Sequence, residues 1–139
     1  MNKHQFWFLS LTWGLIMTLI GAIVTLILML FGFKPKRNIY GWYTEIGNDW
    51  GGLDLGPFCL VYKNPNDYIL NHEFGHAVQN CALGPFMILI NIASAIRYWY
   101  REFLIKVMGK KYSDLPPYDS IWFEGSATSL GNYFRKYHA

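Results

Sequence analysis

From Phe6 to Phe33 the chain carries no charged residue: FWFLSLTWGLIMTLIGAIVTLILMLFGF. A helix of about 20 apolar residues crosses a bilayer core, so this run is long enough to span with tilt. It is too long for the apolar part of an ordinary signal peptide, and no small-residue cleavage site follows it. Lipid requires backbone groups to bond within the segment, so the expectation is one continuous transmembrane helix. Lys3 precedes the run, and Lys34, Lys36 and Arg37 follow it. That balance leans toward a cytoplasmic C-terminal part.

The remainder, roughly 100 residues, can bury a modest core. The 139 residues are 53% hydrophobic and 19% aromatic, which fits one membrane anchor over 1–37 and one small domain over 38–139. A net charge of +3 suits a protein near anionic lipid. No aromatic-plus-basic recognition motif stands out, so no nucleic-acid partner is expected. Cys59 and Cys81 form no C-x-x-C pair and read as buried thiols rather than a bridge.

After the anchor, Ile39 to Ile46 and Leu53 to Tyr62 read as two strands of a β-hairpin, with Gly47 to Gly52 as the turn. Gly56 and Pro57 interrupt the second strand and favour an edge or a bulge. Asn66 or Asp67 caps a helix from about Asp67 to Leu83, which Gly84-Pro85 ends. Phe86 to Val107 reads as another helix. Its first half is uncharged, and its second half mixes Arg97, Arg101, Glu102 and Lys106 with Tyr98, Trp99, Tyr100 and Phe103. That pattern suits an interfacial helix at headgroup level, with a second span as the alternative. Gly109 to Pro117 is a loop. A last helix runs from Asp119 or Ser120 to Arg135.

The chemistry sits in Asn71-His72-Glu73-Phe74-Gly75-His76-Ala77-Val78-Gln79-Asn80, which contains H-E-x-x-H. On a helix, His72 and His76 share one face and can aim two imidazoles at one zinc ion. Glu73 stands beside the first histidine, placed to act as a general base. The plain alternative is a chance match with two satisfied core histidines. Catalytic zinc commonly takes three protein ligands. A third histidine six residues after His76 is missing, since that position is Ala82. His138 lies near the chain end, and His4 precedes the anchor. Glu124, among Trp122, Phe123 and Ala127, is the acidic residue in the middle of the last helix. A metal would offset the cost of burying it. Gly125, Ser126 and Ala127 would let its helix approach closely. Thr128, one turn on, could hold a ligand histidine from behind. The plain alternative is a surface glutamate.

His72-Glu73-x-x-His76 followed by a helix with Glu124-x-x-Ala127 resembles the gluzincin group of zinc metallopeptidases, with 48 residues between His76 and Glu124. Asn71 to Asn80 and Trp122 to Leu130 also resemble small membrane-anchored bacterial proteins carrying this motif pair. The likeness covers two short motifs. It departs from the best-known gluzincins at Thr128, where many have aspartate. It implies an α+β fold: β-hairpin, motif helix, apolar or interfacial helix, and glutamate-bearing helix behind an N-terminal transmembrane helix. It further implies peptide-bond hydrolysis with Zn2+ held by His72, His76 and Glu124. Glu73 would take the proton of a zinc-bound water, and a tyrosine would steady the oxyanion. Tyr118 is the first candidate for that donor, with Tyr112 and Tyr133 behind it. The strand Leu53 to Tyr62 could pair with an extended substrate, Gly52 and Gly56 allowing close approach. The expected partners are a peptide or protein substrate near the membrane and the lipid bilayer. The expected place is a bacterial cell membrane. The competing readings are a zinc-stabilised scaffold and a metal-free membrane interaction protein. Glu73 favours the enzyme, because a structural zinc site has no need of it.

Overall fold

A computed structural model describes residues 1–48 and 50–138, so Asp49 of the expected turn lies outside the described residues. The fold is mixed α+β. Helix α1 (Lys3–Leu11) and α2 (Leu15–Leu30) precede four short strands: β1 (Lys36–Asn38), β2 (Gly41–Glu45), β3 (Gly52–Leu55) and β4 (Phe58–Val61). Helix α3 (Asp67–Leu83) leads through a 3-10 turn, Gly84–Phe86, into α4 (Met87–Lys106). Two further 3-10 turns, Tyr112–Asp114 and Tyr118–Ser120, precede α5 (Trp122–His138). The bounds of α3 match the sequence reading because its signals are local. The Asn66 side chain accepts from the Ile69 N–H, and Gly84 closes the helix at φ 58°.

The single hairpin is corrected. The sheet order is β1-β2-β4-β3, and β2 runs parallel to β4. What reads as one strand, Leu53 to Tyr62, is itself a hairpin: Leu55 pairs with Phe58 around Gly56 and Pro57. Gly56 takes φ 71° at the first loop position, the conformation that tight hairpin turns demand. The other strand starts late because Ile39, at φ 55°, sits in the turn between β1 and β2.

The continuous anchor helix is also corrected. α1 and α2 meet at 93°, broken over Thr12, Trp13 and Gly14. Protein groups bond to backbone carbonyls on both sides of the break. Asn80 Nδ2 donates to the Gly14 carbonyl at 3.2 Å, and Thr18 Oγ1 donates to Ser10 O at 2.6 Å. A Cβ on Gly14 would lie 2.5 Å from Asn80 Nδ2, so a larger residue would displace the amide that bonds to the corner. Residues 1–37 therefore do not stand apart. Phe6 is fully buried in one core with Tyr40, Phe74, Ala77, Val78, Cys81 and Phe134. A second cluster joins Met17, Leu55 and Met87.

By length and composition the stretch Asp67–Lys106 could cross a membrane, and so could Lys3–Leu11 and Leu15–Leu30 if the bent pair counts as one span.

Candidate metal centre

α3 crosses α5 at very short range. A Cβ on Gly75 would fall 1.7 Å from the Ala127 carbonyl oxygen, and one on Gly131 would fall 1.6 Å from that of Asn71. The two glycines let the backbones touch, which brings His72, His76 and Glu124 together. All three are buried, and one ligand atom from each lies within 4.8 Å of the others. His72 Nε2 is 3.0 Å from Glu124 Oε2, and His76 Nε2 is 3.3 Å from Glu124 Oε1.

The surrounding hydrogen bonds fix where the imidazole protons are. Gln79 Nε2 donates to the Phe123 carbonyl at 2.8 Å, which leaves Gln79 Oε1 as the acceptor for His76 Nδ1–H, also at 2.8 Å. The Thr128 hydroxyl donates to Asp119 Oδ2 at 2.7 Å, so its oxygen must accept from His72 Nδ1–H at 2.8 Å. Both rings thus carry their proton on Nδ1 when neutral, and both Nε2 lone pairs face a carboxylate. With both rings neutral, three acceptors converge with no proton between them. Either a proton on one Nε2, which makes an imidazolium paired with Glu124, or a metal ion resolves this, and two imidazoles with a carboxylate form a donor set that could hold a metal ion. Burial alone would raise the Glu124 pKa. When an Nε2 carries a proton, the hydrogen bonds from His72 and His76 outweigh it and hold the carboxyl well below the usual range.

Thr128 plays the part expected of it, and the structure shows what lies behind it. Asp119 accepts from Thr128 and from the Tyr68 hydroxyl at 2.8 Å, so a carboxylate reaches His72 through one hydroxyl. Sequence reasoning placed Asp119 only as a helix start and passed over Gln79. Gln79 sits three residues after His76, the spacing that puts two side chains on one helix face.

Glu73 is buried beside this cluster, and its Oε2 has no hydrogen-bond partner among the described residues. A Cβ on Gly52 would meet Glu73 Oε1 at 2.7 Å, so the start of β3 lies directly against the carboxylate. Gly56 does not share that role and packs on α2 at Thr18. A pocket of about 160 Å³ is lined by Gly52, Leu53, Glu73, Ser94, Tyr98 and Tyr118 among others. It adjoins a wider cleft of about 590 Å³ edged by Tyr68, Arg101, Lys106 and Tyr112.

Tyr118 lines both spaces, its ring centroid 6.1 Å from that of His72. Burial and the Glu124 charge push its pKa up, so the phenol keeps its proton and can donate. Tyr112 sits at the outer cleft and donates to Glu102 Oε1. Tyr133 packs edge-on against Phe134 and tilted against Tyr137, and is not among the residues lining either space. His4 is exposed on α1, away from the cluster. Cys59 and Cys81 are free and buried.

A fourth acidic group was not foreseen. Asp54 on β3 is buried, its Oδ2 accepts from Gly56 N–H, and its Oδ1 has no hydrogen-bond partner among the described residues. Burial pushes its pKa well up. His76 opposes that rise, and the nearby Glu73 charge adds to it.

The chain matches no protein-family model, no curated protein and no solved structure.

Proposed function

We propose that the chain is a membrane-associated, zinc-dependent metallopeptidase of the gluzincin type, with His72, His76 and Glu124 holding the metal. The observation that carries this reading is the proton arrangement. Gln79 and the Thr128–Asp119 pair fix both neutral histidines with their Nε2 lone pairs turned on Glu124, an arrangement in which a metal ion can take the place of a proton. A zinc ion held there would supply a Lewis acid that polarises a carbonyl and acidifies water near neutral pH.

Glu73 separates an enzyme from a zinc-stabilised scaffold. A buried carboxylate oxygen without a hydrogen-bond partner costs stability and has no use in a structural site. Placed beside the ligands and open to the pocket, Glu73 accepts a proton from the attacking water and returns it to the leaving amine. The Tyr118 hydroxyl, held 3.3 Å from Ser94 Oγ, is the donor for the developing oxyanion. β3 is the outer strand of the sheet, and Gly52 and Leu53 line the pocket, so an extended peptide can lie along it.

The test is Glu73→Gln in the full chain. The variant should keep its zinc and lose cleavage of a peptide library by about 100-fold or more, since an amide cannot take the proton. Cleavage at the parent rate by the variant would remove Glu73 from the chemistry. Zinc in a parent that cleaves nothing would favour the scaffold.

A further inference from the structure

Helix α4 has its polarity reversed for a protein in water. From Ile88 to Phe103 its exposed positions are Ile88, Leu89, Ile92, Ala93, Ile96, Trp99, Tyr100 and Phe103. None of these is charged. The charged residues of the same interval, Arg97, Arg101 and Glu102, are half-buried. The inward side docks through polar contacts. Ser94 Oγ donates to Glu124 Oε1 at 2.8 Å. Arg97 donates to the Tyr118 carbonyl at 2.6 Å and to the Pro117 carbonyl at 3.2 Å, and its guanidinium lies 4.9 Å over the Tyr118 ring. Arg101 donates to the Pro116 carbonyl at 2.6 Å. Met87 is the one fully buried residue of the helix. In water such a helix leaves its apolar face uncovered, and beyond the packing of Met87 and Ile90 its seat rests on polar contacts that solvent competes for. In an apolar surrounding the same arrangement is the favoured one, since its hydrogen bonds then have no solvent competitor.

We infer that a lipid bilayer covers this face, and that its contact with Leu89, Ile92, Ile96 and Phe103 holds Ser94, Arg97 and Arg101 against Glu124 and the segment carrying Tyr118. The Tyr118 wall of the pocket, and the Ser94 contact to Glu124, are then held in place only when lipid is bound. Three observations favour lipid as the occupant. α2 continues the surface, with Leu19, Ile23, Leu26, Ile27 and Leu30 exposed. The two helices start side by side, with Trp13 edge-on to Phe86 and Asn91 Nδ2 3.5 Å from Met17 Sδ. Both are followed by basic residues that suit anionic headgroups: Lys34, Lys36 and Arg37 after α2, and Lys106, Lys110 and Lys111 at the end of α4. Trp99 and Tyr100 lie toward that basic end, where a headgroup-level aromatic belt belongs. The inference deepens the peptidase reading, on which it rests for what the site does.

The experiment uses the full chain in nanodiscs of phosphatidylcholine and phosphatidylglycerol, with part of the phosphatidylcholine brominated in its acyl chains. Bromolipid should quench parent fluorescence, and Trp99→Phe should remove a measurable share of that quenching. The Ile92→Gln/Ile96→Gln variant should raise amide exchange over residues 118–124 by about tenfold while β2–β4 stay protected. Should the pair also loosen the sheet, Ile96→Ser alone, which removes less apolar surface, gives the same comparison. Quenching that does not involve Trp99, shielding of Trp99 by a second copy, or unchanged exchange over 118–124 would each overturn the inference. Neither readout uses zinc or cleavage, so the inference and the peptidase reading fail separately.

Discussion

Replacing Gly75 by alanine tests whether the close helix crossing builds the metal centre. The added Cβ would sit 1.7 Å from Ala127 O and 2.4 Å from its carbonyl carbon. Both are backbone atoms of α5 and cannot swing aside as a side-chain tip would. Ordinary contact begins near 3.4 Å, so the two helices must part by well over 1 Å. Overpacking typically costs about 1–3 kcal/mol, and the upper end applies because backbone must move. For a chain of this length about 3 kcal/mol lowers Tm by roughly 10 °C. Gly75 lies between His72 and His76, and Ala127 lies one turn beyond Glu124, so the parting opens the ligand set itself. Metal sites tolerate only about 0.2 Å around their bond lengths, so zinc affinity should fall by about 100-fold or more. The assay is chelator competition together with thermal unfolding, with Gly51→Ala as control. A Cβ there meets only Tyr98 Cε2 at an ordinary 3.7 Å. Gly75→Ala with zinc affinity within about twofold of the parent, and Tm within about 2 °C, would refute the packing argument.

Further outcomes follow from the same contacts. Thr128→Val removes the acceptor for His72 Nδ1–H and should weaken zinc by about 10- to 100-fold with the fold intact, as read by chelator titration and circular dichroism. Asp54 has a raised pKa, so the folded state keeps a proton that the unfolded chain loses above about pH 4. Its contribution to stability therefore falls as pH rises from that point, by up to about 1.4 kcal/mol per pH unit until the folded carboxyl also ionises. Asp54→Asn should flatten that decline and melt higher than the parent at pH 8; an unchanged pH–stability profile would count against it. Deleting residues 1–33 removes Phe6 from the core and Met17 from the second cluster. The shortened chain should lose cooperative unfolding rather than emerge as a folded domain.

What the sequence made legible was whatever depends on neighbours along the chain. Asn66 and Gly84 bounded α3, and the four-residue spacing set His72 over His76. Glu124 could be picked out because a glutamate among Trp122, Phe123 and Ala127 needs a partner. The corner at Gly14 was hidden, because the group that stabilises it, Asn80, lies 66 residues away. The parallel pairing of β2 with β4 was hidden for a related reason: Gly56 and Pro57 read equally well as a bulge in one strand or as the turn between two. Asp119 was obscured because its action on His72 passes through Thr128. The inverted face of α4 was visible as a mixture of aromatic and basic residues. Which side met the protein depended on Tyr118 and Glu124, both supplied from beyond the helix.

The most direct measurement is the metal content of the purified full chain by elemental analysis, beside His72→Ala, His76→Ala, Glu124→Ala and Glu73→Gln. The account predicts about one zinc per chain in the parent and in Glu73→Gln, and a near-complete loss in the three ligand variants. Zinc far below one per chain in the parent after zinc loading, or retained equally by His72→Ala and Glu124→Ala, would contradict it.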